Sequence, residues 1–133
     1  MNRKEARENV FELLFEASFA KEPDRESILE LAKECRDLQP DDYILKVFNG
    51  VLDNIDYLDS EINKFSTKWK TSRLPKTSLS ALRIAIFEIE NLEDVPTPIA
   101  INEAVELLKK YEGEDSAKYV NGVLGSLARK NEE

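Results

Sequence analysis

Three basic residues open the chain in a pattern that could bind phosphate groups. Arg3, Lys4 and Arg7 begin an amphipathic run, whereas the acidic residues are spread over the rest of the sequence. The formal net charge of −8 argues against binding nucleic acid by overall attraction, because phosphate neutralisation depends on clustered lysine and arginine. Such binding would need this local patch. The residues alone favour a solvated helix end, with a phosphate-binding patch as the alternative.

The sequence lacks the residue types on which most hydrolase chemistry depends. It contains no histidine and a single cysteine, Cys35, so an internal disulfide is excluded. A zinc site and a serine-histidine or cysteine-histidine catalytic pair are excluded as well. These absences exclude most hydrolase chemistry. We predict no catalytic residue, no metal site and no cofactor.

Trp69 is the only tryptophan, and it is flanked by Lys68, Lys70 and Arg73. A tryptophan among cations can stack on a nucleobase. More often, such a ring fills a gap between helices while the neighbouring lysines remain in solvent. We expect Trp69 to fill a gap of this kind, with base stacking as the alternative.

The chain is divided by proline-bearing segments, and each stretch between them has helical periodicity without sustained two-residue alternation. This pattern predicts an all-α protein, and 133 residues suit a single domain with one core. The predicted helices cover residues 3–20, 25–36, 41–55, 57–67, 77–92, 99–111 and 116–130. The third and fourth are so close that one long bent helix is an alternative. In the turn before the last helix, Gly113 could end one helix and Asp115 or Ser116 could cap the next.

Membrane and export signals are missing from the sequence. No stretch approaches the roughly 18 to 20 uninterrupted apolar residues that a membrane span needs. The N-terminal residues also lack the apolar segment of a signal peptide. We therefore expect a cytoplasmic protein that does not contact membranes.

The first predicted helix has two apolar faces. One face consists of Ala6, Val10, Leu13, Leu14 and Ala17. The other is a row of phenylalanines, Phe11, Phe15 and Phe19, at spacing i, i+4, i+8. The helix is therefore either packed between two parts of its own protein or presents an aromatic ridge to a partner, and the periodicity favours neither.

Residues 79–92 are apolar on nearly every side, which is typical of a helix at the centre of a bundle. Arg83 lies within this segment. Because a buried guanidinium needs a partner, we expect an internal salt bridge to an acid such as Glu88 or Glu103 rather than a phosphate contact.

The last predicted helix keeps two glycines, Gly122 and Gly125, although each costs roughly 1 kcal/mol relative to alanine. On a helical wheel both lie opposite the apolar stripe, and Tyr119 lies at its flank. The missing side chains would suit either a closely approaching helix or an RNA strand beside the tyrosine.

Four blocks of sequence together resemble one known family. The blocks are "RKEARENVFELLF", "YLDSEINKF", "LRIAIFEI" and "VPTPIAINEAVELLKKYEGEDSAKYVNGVLGSLA". Over nearly its whole length, the chain resembles the NusB transcription antitermination factors, and "INEAVEL" and "YVNGVL" are the most specific parts of the match. The resemblance implies an all-helical fold of two small helical subdomains. It also implies a single RNA-binding domain over residues 1–133 and no catalysis.

The resemblance further implies partners. Similar proteins bind the boxA element of leader RNA together with NusE, a small-subunit ribosomal protein. That complex joins RNA polymerase and other Nus factors and suppresses premature termination during ribosomal RNA transcription. A helical adaptor that binds only protein is the alternative function, and a homodimer is the alternative to a monomer. Similar domains also occur fused to rRNA cytosine methyltransferases, but this sequence has no GxGxxG motif for a nucleotide cofactor.

The resemblance also assigns site residues. The RNA-binding residues would be Arg3, Lys4, Arg7, Asp115 and Tyr119. We add Lys118, which lies opposite the apolar stripe of the last helix on a helical wheel. The partner-binding residues would be Phe15 and Phe19, on the far side of the first helix, and Ser78, at the start of the central helix. Glu5 and Glu8 dilute the basic cluster, which implies weaker RNA binding without NusE. The central helix starts with serine and threonine where some relatives carry an acid, so a polar partner contact there is not carried over.

Overall fold

The computed structural model describes residues 1–132, and all regular structure in that range is helical. The helices are α1 (Arg3–Ala17), α2 (Arg25–Arg36), α3 (Asp42–Asp53), α4 (Ile55–Phe65), α5 (Lys76–Asn91), α6 (Thr97–Tyr111) and α7 (Glu114–Glu132). One turn of 3-10 helix, Thr71–Arg73, lies between α4 and α5. None of the helices in residues 1–132 combines the length and apolar character that crossing a membrane requires. The predicted all-α class is confirmed.

Side-chain caps fix where the first three helices begin. Asn2, Asp24 and Asp41 each accept a hydrogen bond from the backbone N–H three residues further on, at 2.8, 3.1 and 2.8 Å. Each cap satisfies an N–H group that has no partner inside the helix. The predicted starts of these helices therefore lie within a residue of the observed ones.

Three helix boundaries differ from the prediction in ways that affect the candidate sites. α1 ends at Ala17 instead of residue 20, so Phe19 lies in the turn that follows. Asn54 alone separates α3 from α4, which makes them two helices and not one bent helix. Gly113, at φ 141°, joins α6 to α7, and α7 begins at Glu114. Asp115 therefore lies in the first turn of α7 and does not cap it.

The helices form two groups in space, and α5 contacts both of them. α1, α2 and α3 pack together, and α4, α6 and α7 pack around α5, with α6 and α7 forming a hairpin. α5 also contacts α1 and α3, and the buried apolar residues of both groups form one continuous core. This arrangement confirms the two helical subdomains and the central position of α5.

α3 and α5 approach closely at Gly50. A Cβ atom added at Gly50 would collide with the ring of Phe87, which is itself buried. The absence of a side chain at Gly50 therefore allows the two helices to pack at this distance.

Arg83 has a different partner from the one expected. Its Nε and Nη2 atoms donate to the two carboxylate oxygens of Asp59 on α4, each at 2.9 Å. Glu88 and Glu103, the acids expected for it, instead face Arg7. The prediction of an internal salt bridge is confirmed, but the predicted partners were wrong.

Candidate nucleic-acid interface

An open groove of about 400 Å³ lies where the loop after α4, the start of α5 and the first turns of α7 meet. Its lining residues are Lys68, Trp69, Arg73, Leu74, Pro75, Ser78, Asp115, Ser116 and Tyr119. Two aromatic rings and two cations thus share one open space. A groove of this composition can combine base stacking with phosphate contacts.

Tyr119 joins α7 to the loop after α4 by its hydroxyl group. The Tyr119 hydroxyl contacts Ser66 Oγ and accepts a hydrogen bond from the backbone N–H of Trp69 at 3.1 Å. Ser66, which is buried, donates its hydroxyl to the carbonyl oxygen of Trp69. The ring of Tyr119 is half-buried against the core. The residue therefore has a fixed orientation at the edge of the groove.

Trp69 lies on the surface, and the prediction that it fills a gap between helices was wrong. Its side chain is 44% exposed, and the Lys68 ammonium lies 5.7 Å from the centroid of its ring. Ser66 occupies the inward position of this loop, and its hydrogen bonds hold the turn with the indole outside the core. The base-stacking alternative is therefore the one that fits the position of Trp69.

The cations around the groove have no ion-pair partner in the part of the chain that the structure describes. Among the residues that the structure describes, no ion pair involves Lys68, Lys70, Arg73 or Lys118. All four side chains are exposed. They are therefore free to meet the phosphates of a ligand, whereas Asp115 adds one negative charge to the groove.

The two glycines of α7 face open surface. A Cβ atom at Gly122 would meet nothing within 4 Å, and one at Gly125 would meet only Arg129 Nη1, at 3.4 Å. No helix of the described residues approaches the two glycines closely, so that alternative is wrong within this fold. The glycines leave the outward side of α7 flat over the two turns beyond Tyr119.

Arg3 and Lys4 remain accessible at the start of α1. Arg3 lies 3.8 Å from Asp94 in a half-exposed ion pair, and its guanidinium stacks 4.4 Å from the centroid of the Tyr43 ring. Lys4 is exposed and lines a small cleft with Glu8, Glu103, Glu106 and Lys110 among others. This end of α1 therefore offers two cations to a phosphate, in surroundings rich in carboxylates.

Arg7 does not belong to that exposed patch. It is 4% exposed and forms hydrogen bonds to the carboxylate of Glu88 at 2.9 and 3.2 Å, with Glu103 3.6 Å away. Tyr43 donates its hydroxyl to the same carboxylate at 2.6 Å. Burial acts to lower the pKa of Arg7, but the hydrogen bond and negative charge of Glu88 raise it overall. The assignment of Arg7 to RNA is corrected, because its charge is neutralised inside the protein.

The expected aromatic ridge is only partly exposed. Phe11 is buried and lies 4.9 Å from the ring of Tyr111, whereas Phe15 is half-buried and Phe19 is 66% exposed. Phe15 and Phe19 meet edge to face at 5.1 Å, and the Lys76 ammonium lies 5.2 Å from the centroid of the Phe19 ring. The ridge thus consists of Phe15 and Phe19 beside the start of α5, and sequence reasoning missed Lys76.

Ser78 lies in the groove and not on the ridge. It is 2% exposed and lines the groove together with Tyr119. The sequence places Ser78 near the start of α5, but it does not reveal which side of that helix faces the groove.

The predicted RNA-binding residues form two separate patches. The Arg3 patch lies near Asp94, just beyond the end of α5, whereas the Tyr119 groove lies at Ser78, near its start. Ser78 and Glu88, which binds Arg7, are separated by about 15 Å along the helix axis at 1.5 Å per residue. A ligand touching both patches must therefore be extended.

The fold and these surfaces define a small all-helical protein with an open aromatic groove. The NusB family model matches residues 4–129. The transcription antitermination protein NusB of Clostridium novyi (strain NT) is 44% identical over 133 residues, which cover 97% of this chain and 99% of that protein. The chain belongs to the NusB family, whose members matched here are transcription antitermination proteins and not enzymes.

Solved structures agree with this family assignment. The structure of T. maritima NusB matches with a TM-score of 0.84 and 31% identity, covering 97% of this chain and 92% of that one. A crystal structure of the antitermination factors NusB and NusE in complex with dsRNA also gives a TM-score of 0.84, with 27% identity and 96% of each chain covered. The fold is therefore one that has been observed with RNA and NusE bound to a relative.

Proposed function

We propose that the chain binds boxA RNA together with NusE, as one RNA-binding domain. In this proposal the complex joins RNA polymerase with other Nus factors and suppresses termination during ribosomal RNA transcription in the cytoplasm. The observation that carries the proposal is the open groove at Tyr119, where aromatic rings adjoin cations that have no ion pair with any carboxylate of the described residues. The relative solved with NusE and dsRNA supports both partners.

The RNA contacts are proposed at both patches. Tyr119 would stack on a base, Lys118 would contact phosphate and Asp115 would lie beside the RNA. Arg3 and Lys4 would bind phosphates further along the strand, since both side chains are accessible. Arg7 would stabilise the end of α1 from inside and would not touch the RNA.

NusE would bind at the ridge formed by Phe15 and Phe19. An aromatic ring with two-thirds of its surface in water is a typical anchor for a protein partner. The Lys76 ammonium beside Phe19 supplies a polar group at the edge of this surface. The ridge and the groove both adjoin the start of α5, so one partner could approach both.

A binding titration with and without NusE tests this function. The probes are single-stranded boxA RNA, a scrambled RNA of the same length and a base-paired RNA, each measured at several salt concentrations. We expect the tightest binding for boxA RNA with NusE, and affinity that falls as salt rises because phosphate contacts release counterions. The Lys118→Ala variant should bind all three RNAs more weakly. The slope of log affinity against log salt concentration should become shallower by about one, because one phosphate contact is lost.

Lys46→Ala is the matched control. Lys46 is an exposed lysine on α3, outside both patches and outside the ion pairs of the described residues. Its replacement should leave affinity and salt dependence unchanged. If no RNA binds with or without NusE, the RNA-binding function is contradicted. A complex of the chain with NusE alone would then leave the protein adaptor as the function.

A further inference from the structure

We propose that Trp69 and Tyr119 together hold one base of a single-stranded RNA, and that the Tyr119 hydroxyl positions Trp69 for this contact. The proposal rests on the proposed RNA-binding function. It adds to that function a second stacking residue, which the family resemblance did not assign, and a positioning role for the hydroxyl of Tyr119.

The first observation is an exposed indole ring beside a second aromatic ring. Trp69 is 44% exposed and lines the same groove as Tyr119. A groove of about 400 Å³ falls within the usual size range of small-ligand sites, so it can receive one planar group. Aromatic platforms of this kind bind bases of any type, because every base has a π-face.

The second observation is that hydrogen bonds fix the Trp69 loop before any ligand arrives. The backbone N–H of Trp69 donates to the Tyr119 hydroxyl, and its carbonyl oxygen accepts from Ser66. Two residues further on, the N–H of Thr71 donates to Asn63 Oδ1 at 2.9 Å. The loop is thus held on both sides of the indole, and a pre-organised loop loses less conformational entropy on binding.

The third observation identifies the chemistry of the occupant. Lys68 and Arg73 line the groove and Lys70 is adjacent in the sequence, and none of the three takes part in the ion pairs found in residues 1–132. Of the described residues that line the groove, Asp115 alone is acidic. An apolar peptide would leave these cations unmatched, whereas an RNA strand supplies a base for the rings and phosphates for the cations.

The sole tryptophan makes a direct test available. Emission from the wild-type protein reports on Trp69 alone, since the sequence contains no other tryptophan. Adding boxA RNA in the presence of tryptophan-free NusE should quench this emission as the complex forms. Trp69→Ala should weaken RNA binding by about tenfold or more, the size expected for losing one stacked base, and Trp69→Phe should retain most of the affinity.

Tyr57→Ala is the matched control, because Tyr57 is a similarly exposed aromatic residue outside the groove. This variant should bind RNA with unchanged affinity. Thermal melting of Trp69→Ala should match wild type, since an exposed ring contributes little to the core.

Tyr119→Phe tests the positioning role. It keeps the aromatic ring and removes only the oxygen that accepts from the Trp69 backbone. In the free protein, the emission of Trp69 should then show lower anisotropy while the melting temperature changes little. RNA affinity should fall by a smaller factor than in Trp69→Ala. Unchanged anisotropy would overturn the positioning role.

Failure of the stacking proposal can be distinguished from failure of the RNA-binding function. If wild-type protein and NusE bind boxA RNA, but Trp69→Ala binds equally well and the emission does not change, the stacking proposal is overturned and the RNA-binding function stands. If the wild-type protein binds no RNA with NusE present, the function itself is contradicted and the stacking proposal falls with it.

Discussion

The two ends of α5 combine similar residue types in opposite environments. Near its C-terminal end, Arg7 and Tyr43 surround the buried carboxylate of Glu88. Near its start, Lys68 and Trp69 adjoin Tyr119 in an open groove. At both ends a tyrosine hydroxyl takes part in a hydrogen bond and a cation lies beside an aromatic ring. At the closed end, formed by Arg7, Tyr43 and Glu88, a carboxylate pairs with the cation. At the open end, formed by Lys68, Trp69 and Tyr119, no carboxylate of the described residues pairs with Lys68.

This difference separates residues that stabilise the fold from residues available to a ligand. A cation with a buried carboxylate partner has no charge left to offer, whereas an exposed cation without one can neutralise a phosphate. Arg7 belongs to the first kind although it is three residues from Lys4 in the sequence. Proximity in sequence is therefore a poor guide to which basic residues form one binding patch.

The largest expected effect comes from opening the closed end with Glu88→Ala. This change leaves the buried guanidinium of Arg7 with only the more distant carboxylate of Glu103. We expect the free energy of unfolding to fall by about 3–5 kcal/mol. Denaturant unfolding measures this change in free energy. Asp59→Ala is the control, because Asp59 and Arg83 form a more exposed ion pair. Equal losses in the two variants would contradict the contrast between closed and open surroundings.

A smaller effect is expected from adding one methyl group at each end. Gly50→Ala would push a Cβ atom into Phe87, the residue before Glu88 on α5, and we expect a loss of about 1–3 kcal/mol. Gly122→Ala, on the open surface near Tyr119, should instead gain roughly 0.5–1 kcal/mol, because alanine favours the helix and nothing lies in its way. Thermal melting of the two variants measures whether each change lowers or raises stability. A stabilising Gly50→Ala would show that the closed end has room to adjust.

The smallest expected effect is a pH dependence at the closed end. Burial, with the charge and hydrogen bond of Glu88, raises the pKa of Tyr43 well above its ordinary value of 10.0. The stability contributed by the protonated phenol is therefore complete below pH 10 and is lost as the pH rises above that value, by up to about 1.4 kcal/mol per pH unit. The difference in unfolding free energy between wild type and Tyr43→Phe should shrink between pH 9 and 11. A constant difference would contradict this raised pKa.

The sequence was sufficient for the parts of the fold that depend on local chemistry. Proline-bearing segments and helical periodicity predicted the helix starts, where the structure shows caps at Asn2, Asp24 and Asp41. The apolar character of residues 79–92 predicted the central helix. The partner of Arg83 required more than local chemistry. Residues five apart on a helix point roughly 140° away from each other, so Glu88 could not face Arg83 once α5 formed. Identifying Asp59 as the partner requires knowing how α4 packs on α5.

The candidate site was predictable at Tyr119 and not at Trp69. The family resemblance identified Tyr119, and its flank position on α7 is visible from helical periodicity. Trp69 lies in a loop, where no periodicity tells which way a side chain points. The available signal was the three flanking cations, which suit an exposed ring better than a buried one. Burial of Ser66, whose hydroxyl satisfies two partners, is a tertiary feature that sequence pattern does not reveal.

Arg7 and Glu88 are 81 positions apart in the sequence, so their ion pair can form only after α5 has been synthesised. α1, α2 and α3 are synthesised before the carboxylate that neutralises Arg7 exists. Because a lone guanidinium is costly to bury, these three helices should remain loosely packed until α5 emerges. The nascent chain should thus fold late and as one unit, because the packing of its N-terminal helices depends on Glu88 in α5.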